Sequence, residues 1–218
     1  MTSRSAKDSP LFRPGFGGIV LCGGKSTRMG RPKHLLPFGG ETMLQRVVRT
    51  LEEVVSPIAV VAAAGQELPP LPEGVLVARD EREALGPLEG LAAGLSALEG
   101  KAQGAYASSC DVPLLKAEFI ARMLDELGAH DLAMPRDGKY HHPLAAVYRT
   151  RLVQTVRSLV SEGQMRPVFL LDRADGITVD VEKLRDVDPD LDSLKNANTP
   201  EDYQRVLEKS GLAPRSGR

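Results

Sequence analysis

The sequence predicts an α/β fold with a mostly parallel central sheet and a late antiparallel hairpin. Short apolar runs alternate with segments of helical periodicity along most of the chain, which is the pattern of βαβ units. Near the end, an Asp137-Gly138 turn separates the apolar runs 131–134 and 142–148, which indicates a β-hairpin. A chain of 218 residues is expected to form one domain.

The predicted strands and helices follow one another in order. Strands are predicted at 18–22, 57–64, 75–77, 105–109 and 177–181, and helices at 43–55, 87–98, 119–127, 152–160 and from 200 onward. Thr42, with Gln45 three residues later, is a capping box that starts the first helix. Gly128 is expected to end the third helix, and Thr199 is expected to cap the last one.

Two glycines, Gly90 and Gly94, lie one turn apart on the predicted helix 87–98. Each glycine lowers helix stability by about 1 kcal/mol relative to alanine. Because a glycine leaves room for a close neighbour, we expect another part of the chain or a ligand to approach this face of the helix closely.

Charge and composition exclude several classes of partner. The chain has 28 Lys and Arg against 29 Asp and Glu, so no overall field attracts nucleic acid or an anionic membrane. No apolar run reaches the roughly 20 residues of a membrane span, and the N-terminus lacks a signal-peptide core, so a cytoplasmic location is expected. Cys22 and Cys110 have no neighbours at metal-ligand spacing, and both are expected to stay reduced.

The two ends of the chain differ from its centre in composition. Residues 1–16 and 210–218 are rich in Ser, Arg, Gly and Pro and show no hydrophobic periodicity. We therefore expect flexible tails at 1–16 and 210–218 and a single domain at 17–209.

The segment from Leu21 to Lys33 carries the strongest functional signal. The predicted strand opens into Gly23 and Gly24, whose backbone N–H groups could hold phosphate oxygens, and Arg28 and Lys33 could neutralise a triphosphate. The alternative is a glycine-rich turn with solvated charges.

The spacing of this segment disfavours two common phosphate-binding motifs. A P-loop requires glycine five positions before Gly24, where this chain has Ile19. A dinucleotide-binding fingerprint starting at Gly15 fails because Val20 stands where its third glycine belongs. Kinase and dehydrogenase functions are therefore disfavoured.

The pattern Leu-x-Gly-Gly-x-x-x-Arg-Met-Gly-x-x-Lys, at 21–33, resembles the signature loop of the molybdenum cofactor guanylyltransferase family. Four further segments match that family in order: Gly86-Pro87-Leu88-Glu89-Gly90, Cys110-Asp111-Val112-Pro113, His142-Pro143-Leu144 and Asn196-Ala197-Asn198-Thr199-Pro200. The resemblance implies a three-layer αβα Rossmann-like nucleotidyltransferase fold. It also implies Mg²⁺-dependent transfer of GMP from GTP to the terminal phosphate of molybdenum-molybdopterin, with release of pyrophosphate.

The resemblance also assigns catalytic residues. Arg28, Lys33 and Asp111 are the catalytic candidates, with Asp111 as the ligand of Mg²⁺. From its position alone, Asp111 could equally satisfy backbone donors at a helix N-terminus. Asn196 and Asn198 resemble positions near the acceptor phosphate, although both could simply belong to a helix entry.

The nucleotide contacts are the remaining residues that the resemblance assigns. The predicted GTP-binding residues are Leu21, Cys22, Gly23, Gly24, Lys33, Asp80 and Asp111. The carboxylate of Asp80 could accept hydrogen bonds from guanine. The family often has an Asn after the second strand, whereas this chain has Ala62-Ala63-Ala64, so one polar contact to the nucleoside could be missing.

Three alternative functions stay open at the level of sequence. A cytidylyltransferase of the same cofactor and a sugar-1-phosphate nucleotidyltransferase would use the same phosphate chemistry. A nucleotide-binding assembly protein would keep the fold without turnover. For the main hypothesis, the expected partners are GTP, molybdenum-molybdopterin and, transiently, cofactor-insertion proteins or molybdoenzyme chaperones.

Overall fold

The structure of the protein is a computed structural model, and it describes residues 9–23, 31–80 and 86–213. The strands of the main sheet are β1 (Phe16–Leu21), β4 (Ile58–Ala63), β5 (Leu76–Asp80), β6 (Gly104–Ser109), β7 (Leu132–Asp137), β8 (Tyr140–His141), β9 (Ala145–Arg149) and β10 (Gly176–Asp180). Two short strands, β2 (Pro37–Phe38) and β3 (Glu41–Thr42), form a separate hairpin. The α-helices are α1 (Met43–Glu52), α2 (Pro87–Leu98), α3 (Ala117–Leu127), α4 (Val153–Ser161) and α5 (Pro200–Lys209).

The main sheet has the strand order β10-β7-β9-β6-β1-β4-β5, with β8 paired to β7. β1 pairs in parallel with β4 and β6, β4 with β5, and β7 with β10. β9 runs antiparallel to both of its neighbours, β6 and β7. The predicted α/β class with a mostly parallel sheet is confirmed.

Helices cover both faces of the sheet, as a three-layer arrangement requires. Successive residues of β1 point to opposite faces, so Val20 packs in the cluster that contains α1 and α3, whereas Ile19 packs in the cluster that contains α2 and α4. The capping box of Thr42 with Gln45 starts α1, and Thr199 caps α5, as predicted.

The glycines of α2 allow close helix-to-sheet packing. A Cβ atom added at Gly94 would lie 2.6 Å from the Ile19 side chain, and one added at Gly90 would lie 3.3 Å from the Leu21 side chain. The predicted close neighbour of this face is therefore β1.

Two local features of the structure go beyond the sequence predictions. The segment 37–42 contains the β2-β3 hairpin, which was not predicted because two-residue strands are too short to give a period-2 pattern. The predicted late antiparallel pairing is confirmed, since Leu132 and Ala133 of β7 lie opposite Tyr148 and Val147 of β9. The Asp137-Gly138 turn, however, joins β7 to the short β8, and β9 follows only after an irregular stretch at 142–144. β9 is then inserted between β6 and β7, so it belongs to the centre of the sheet.

The ends of the described ranges contact the domain. β1 begins at Phe16, and Arg13 donates two hydrogen bonds, of 2.7 and 2.8 Å, to the Asp125 carboxylate on α3. α5 ends at Lys209, after which the Leu212 N–H donates to the Leu207 carbonyl. The division into a domain and two flexible tails stays a prediction. Within the described ranges, every helix is too short or too polar to cross a membrane.

Candidate active site

Asp111 lies just beyond the carboxyl end of β6 and is only 7% exposed. Its Oδ1 accepts hydrogen bonds from Ser109 Oγ at 2.6 Å and Asn196 Nδ2 at 2.7 Å. Its Oδ2 accepts from Lys33 Nζ at 2.8 Å. A buried carboxylate needs such partners, and here an ammonium group balances its charge.

Lys33 joins two of the predicted site segments. Besides Asp111, its Nζ donates to Asn198 Oδ1 at 2.7 Å. The lysine side chain is 18% exposed, so its charge is partly withdrawn from water. Four predicted residues, Lys33, Asp111, Asn196 and Asn198, therefore form one hydrogen-bonded cluster, although chain positions 33 and 198 are 165 residues apart.

Backbone contacts hold the C-terminal segment against the end of β6. The Ala197 N–H donates to the Asp111 carbonyl at 2.8 Å. Earlier in the chain, Ser193 Oγ accepts from the Lys116 N–H, and the Ser193 N–H donates to the fully buried carboxylate of Asp188 at 2.8 Å. Asn196 and Asn198 flank Ala197, so the Ala197 contact places both asparagines beside the end of β6.

The predicted nucleotide side begins where β1 ends. The Leu21 carbonyl accepts from the Cys110 N–H at 3.1 Å, and the Cys22 N–H donates to the Val61 carbonyl at 2.8 Å. Both main-chain groups thus continue the sheet ladder, and no atom of the described residues beyond its chain neighbours lies within 4 Å of a Cβ built on Gly23. A nucleoside could reach the open side of Gly23 or the second lone pair of a carbonyl.

Gln66 occupies the neighbourhood of the alanines 62–64, and the sequence reasoning missed it. Its Oε1 accepts from the Ala63 N–H at 2.9 Å, and its Nε2 donates to the Cys22 carbonyl at 3.1 Å. The chain reaches this position through Gly65, which has a φ of +73° and turns the backbone back toward β1. The sequence did contain one signal for this role, because Gln66 is a polar residue that directly follows a predicted strand and a glycine. Ser109 was missed as well, because serines in strands are common.

Several predicted residues lie outside the described part of the structure. These are Gly24 and Arg28, together with the side chain of Asp80. The backbone of Asp80 ends β5, opposite Ala63 of β4. The roles assigned to these residues stay predictions.

Cys22 and Cys110 are neighbours in the fold although they are distant in the sequence. Both thiols are free and buried, and they follow the paired residues Leu21 and Ser109 of the adjacent strands β1 and β6. A hydrogen bond to Cys22 and burial raise the pKa of the Cys110 thiol well above its usual value. Cys110 is therefore a poor nucleophile at neutral pH.

His142 lies in the irregular stretch before β9. Its Nε2 is buried and has no hydrogen-bond partner among the described residues. Burial lowers the pKa of this imidazole, and His141 adds to the effect, while Asp137 opposes it. The Tyr148 hydroxyl donates to the Pro143 carbonyl at 2.8 Å and so supports the stretch.

The cluster provides one carboxylate, one ammonium group and neutral oxygens. Across the described ranges, no group of three or more His, Cys, Asp or Glu side chains could hold a metal ion. Carboxylate and amide oxygens such as those of Asp111, Asn196 and Asn198 are the ligand type that Mg²⁺ prefers, and here Lys33 Nζ donates to one oxygen each of Asp111 and Asn198. The arrangement suits chemistry on anionic phosphates, where placed charges matter more than proton transfer.

Comparison with known proteins agrees with the geometry. A sequence model of the MobA-like NTP transferase domain matches residues 18–176. A Mycobacterium tuberculosis (strain ATCC 25618 / H37Rv) protein named "Probable molybdenum cofactor guanylyltransferase" is 40% identical over 168 residues, which cover 74% of this chain and 82% of that protein.

Two solved structures share the fold. Molybdopterin-guanine dinucleotide biosynthesis protein A from Archaeoglobus fulgidus superposes with a TM-score of 0.73 at 22% identity, covering 89% of this chain and 98% of that one. Rv0371C from Mycobacterium tuberculosis H37Rv, in complex with manganese, gives a TM-score of 0.55 at 18% identity, covering 89% of this chain and 98% of that one. Taken with the match at 18–176, the predicted relationship is confirmed: the chain belongs to the MobA-like NTP transferase family.

Proposed function

We propose that the protein transfers GMP from GTP to the terminal phosphate of molybdenum-molybdopterin, which yields the guanine dinucleotide cofactor and pyrophosphate. Membership of the MobA-like family and a relative named as a guanylyltransferase support this reaction. The observation that carries it is the cluster of Lys33, Asp111, Asn196 and Asn198 at the carboxyl edge of the sheet. Ligands of open α/β folds bind at that edge.

In the proposed mechanism, the acceptor phosphate attacks the α-phosphorus of GTP in line with the bond to the departing pyrophosphate. Two anionic groups must approach each other, so positive charge and alignment lower the barrier most. Lys33 supplies a fixed ammonium group, which the structure holds between Asp111 and Asn198. In this proposal, the guanidinium group of Arg28 supplies a second positive charge to the phosphates.

A divalent cation is the proposed cofactor, with Asp111 as its only carboxylate ligand in the described cluster and Asn196 and Asn198 as neutral neighbours. When bound, the cation would neutralise phosphate charge beside the reacting phosphorus. The manganese complex of Rv0371C supports a divalent ion, and Mg²⁺ is our choice for this chain.

Three further assignments belong to the same proposal. Asp80, Leu21, Cys22 and Gly23 would contact the guanosine. Asn196 and Asn198 would lie closest to the acceptor phosphate. The reaction would take place in the cytoplasm, followed by transient contact with cofactor-insertion or chaperone proteins.

The test is an incubation of the purified protein with Mg²⁺, molybdenum-loaded molybdopterin and GTP, CTP or ATP separately. We expect guanine dinucleotide and an equal amount of pyrophosphate with GTP, and loss of both when EDTA is added. Product only with CTP would indicate the cytidylyltransferase. Product only with a hexose 1-phosphate as acceptor would indicate the sugar nucleotidyltransferase, and GTP binding without any product would indicate the assembly protein.

A further inference from the structure

His34 lies directly after Lys33 in a short 3-10 helix, Lys33–Leu35, and is only 5% exposed. Its Nε2 is 2.8 Å from the Glu67 carbonyl oxygen, which can only accept a hydrogen bond. The imidazole therefore carries its proton on Nε2. Gln66 Nε2 lies 2.9 Å from Nδ1 and 3.3 Å from Nε2, and with Nε2 protonated the shorter contact is the hydrogen bond, which Nδ1 accepts.

The amide group of Gln66 is oriented by its neighbours. The Ala63 N–H must face the amide oxygen, and the Cys22 carbonyl must face the amide nitrogen. The two hydrogens on Nε2 are then both used, one by Cys22 and one by His34. If the amide were rotated by 180°, its nitrogen would face the Ala63 N–H, so that two donors would meet. Its oxygen would then face two acceptors, the Cys22 carbonyl and His34 Nδ1.

The turn that carries Gln66 is itself fixed. Arg79 donates through one guanidinium nitrogen to the Gln66 carbonyl at 2.8 Å and to the Ala63 carbonyl at 3.1 Å. Ala63 belongs to β4 and Arg79 belongs to β5. The Ala63 N–H and the Cys22 carbonyl, which directly follows β1, hold the side-chain amide of Gln66, while Arg79 holds its main-chain carbonyl. The imidazole of His34 is thereby attached to the rigid sheet.

We propose that His34 and Gln66, named here the His34–Gln66 clamp, position Lys33 for nucleotidyl transfer. This inference rests on the proposed function. A lysine has a long, flexible side chain, and its backbone in this protein follows directly on the glycine-rich segment. Anchoring the next residue to the sheet fixes the Lys33 Cα, so its ammonium group can stay between Asp111 and Asn198 and face the departing pyrophosphate.

The clamp makes a prediction that a merely structural hydrogen bond does not make. If it acts through Lys33, removing it should lower kcat more than it changes KM for GTP, and the loss should vanish when Lys33 is already removed. A double-mutant cycle measures such coupling directly. Independent residues would instead give effects that multiply.

The cycle uses Gln66→Leu, Lys33→Ala and the double variant, with Gln154→Leu on the exposed side of α4 as the matched control. We expect Gln66→Leu to lower kcat about 10-fold and to change KM for GTP by less than about 3-fold. In the Lys33→Ala background, the same substitution should change kcat by less than about 2-fold. Multiplying effects, or a kcat for Gln66→Leu equal to that of Gln154→Leu, would overturn the proposal.

A second measurement needs neither activity nor a variant. Nitrogen-15 NMR of the wild-type imidazoles should show His34 protonated on Nε2 and not on Nδ1 at neutral pH, and a ring protonated on Nδ1 would overturn the clamp. Absence of dinucleotide from the wild-type enzyme with every nucleotide would instead contradict the proposed function. The two failures are therefore distinguishable.

Discussion

The carboxyl edge of the sheet has two halves that the chain builds in different ways. The nucleotide half consists of the ends of β1, β4 and β5, which follow one another in the sequence. The helix α1 lies between β1 and β4, and an irregular loop at 64–75 joins β4 to β5. The Asp111 half consists of the end of β6, a C-terminal segment and the Lys33 side chain, and its Asn196–Asp111 hydrogen bond joins residues 85 positions apart. The first half depends on local sequence, whereas the second depends on the finished fold.

The halves also differ in charge. In the Asp111 half, a buried carboxylate and a partly buried ammonium group lie 2.8 Å apart. In the nucleotide half, the described contacts are made by main-chain groups, the neutral Gln66 amide and the Arg79 guanidinium, which donates to main-chain carbonyls. Substitutions in the Asp111 half should therefore act mainly on the rate of transfer, and those in the nucleotide half on binding, alignment or folding.

Asp111→Asn should have the largest effect. The substitution keeps the size of the side chain but removes the charge that faces Lys33 and the proposed metal ion. We expect kcat to fall at least about 100-fold while GTP still binds. The assay is dinucleotide formation together with calorimetry of GTP binding, and Asp125→Asn on the surface of α3 is the control. If the variant kept activity within about 3-fold of wild type, the negative charge of Asp111 would not be needed for transfer.

The two asparagines should differ when each is replaced by aspartate. Asn196→Asp would place a second carboxylate beside Asp111 Oδ1, where the amide now donates at 2.7 Å, so repulsion should lower kcat about 10- to 100-fold. Asn198→Asp would present a carboxylate to the Lys33 ammonium group, and we expect a change of about 3-fold or less. Steady-state kinetics of both variants give the ratio of their two losses in kcat. Equal losses would mean that neither hydrogen bond decides the outcome.

Two glycines test the packing beneath the nucleotide half. Gly94→Ala should lower the free energy of unfolding by about 1–2 kcal/mol, because overpacking against Ile19 outweighs the gain in helix propensity. Gly90→Ala, which meets the side chain of Leu21 at 3.3 Å, should stay within about 1 kcal/mol of wild type. Urea denaturation of both variants compares them, and a Gly90→Ala variant less stable than Gly94→Ala would contradict the closer approach of α2 to β1 at Gly94.

Much of the nucleotide half could be predicted from the sequence because its signals are local. The apolar run that ends at Leu21 and the capping box at Thr42 each specify their own structure. The grouping of Lys33 with Asp111 follows from the resemblance and from the rule that parallel strands end at one edge.

The rest could not be predicted because it depends on contacts between distant parts of the chain. Nothing in 145–149 indicates that β9 enters between β6 and β7. His34 and Gln66 look like ordinary polar residues until the fold brings them 2.9 Å apart. The hydrogen bond from the Lys116 N–H to Ser193 Oγ, which anchors the chain just before the asparagines, likewise joins residues 77 positions apart.

The smallest predicted effect concerns acid and the stretch before β9. Burial lowers the pKa of His142 below its usual 6.5, so as pH falls below 6.5 the unfolded chain takes up a proton before the folded protein does. Stability contributed by neutral His142 is therefore present above pH 6.5 and lost as pH falls toward the folded-state pKa. Urea denaturation at pH 7.5 and 5.5 should show a larger loss for wild type than for His142→Gln, by no more than about 1.4 kcal/mol per pH unit for one proton. Equal losses of unfolding free energy in wild type and His142→Gln would mean that His142 takes up protons as easily in the folded protein as in the unfolded chain. The irregular stretch at 142–144 would then open readily.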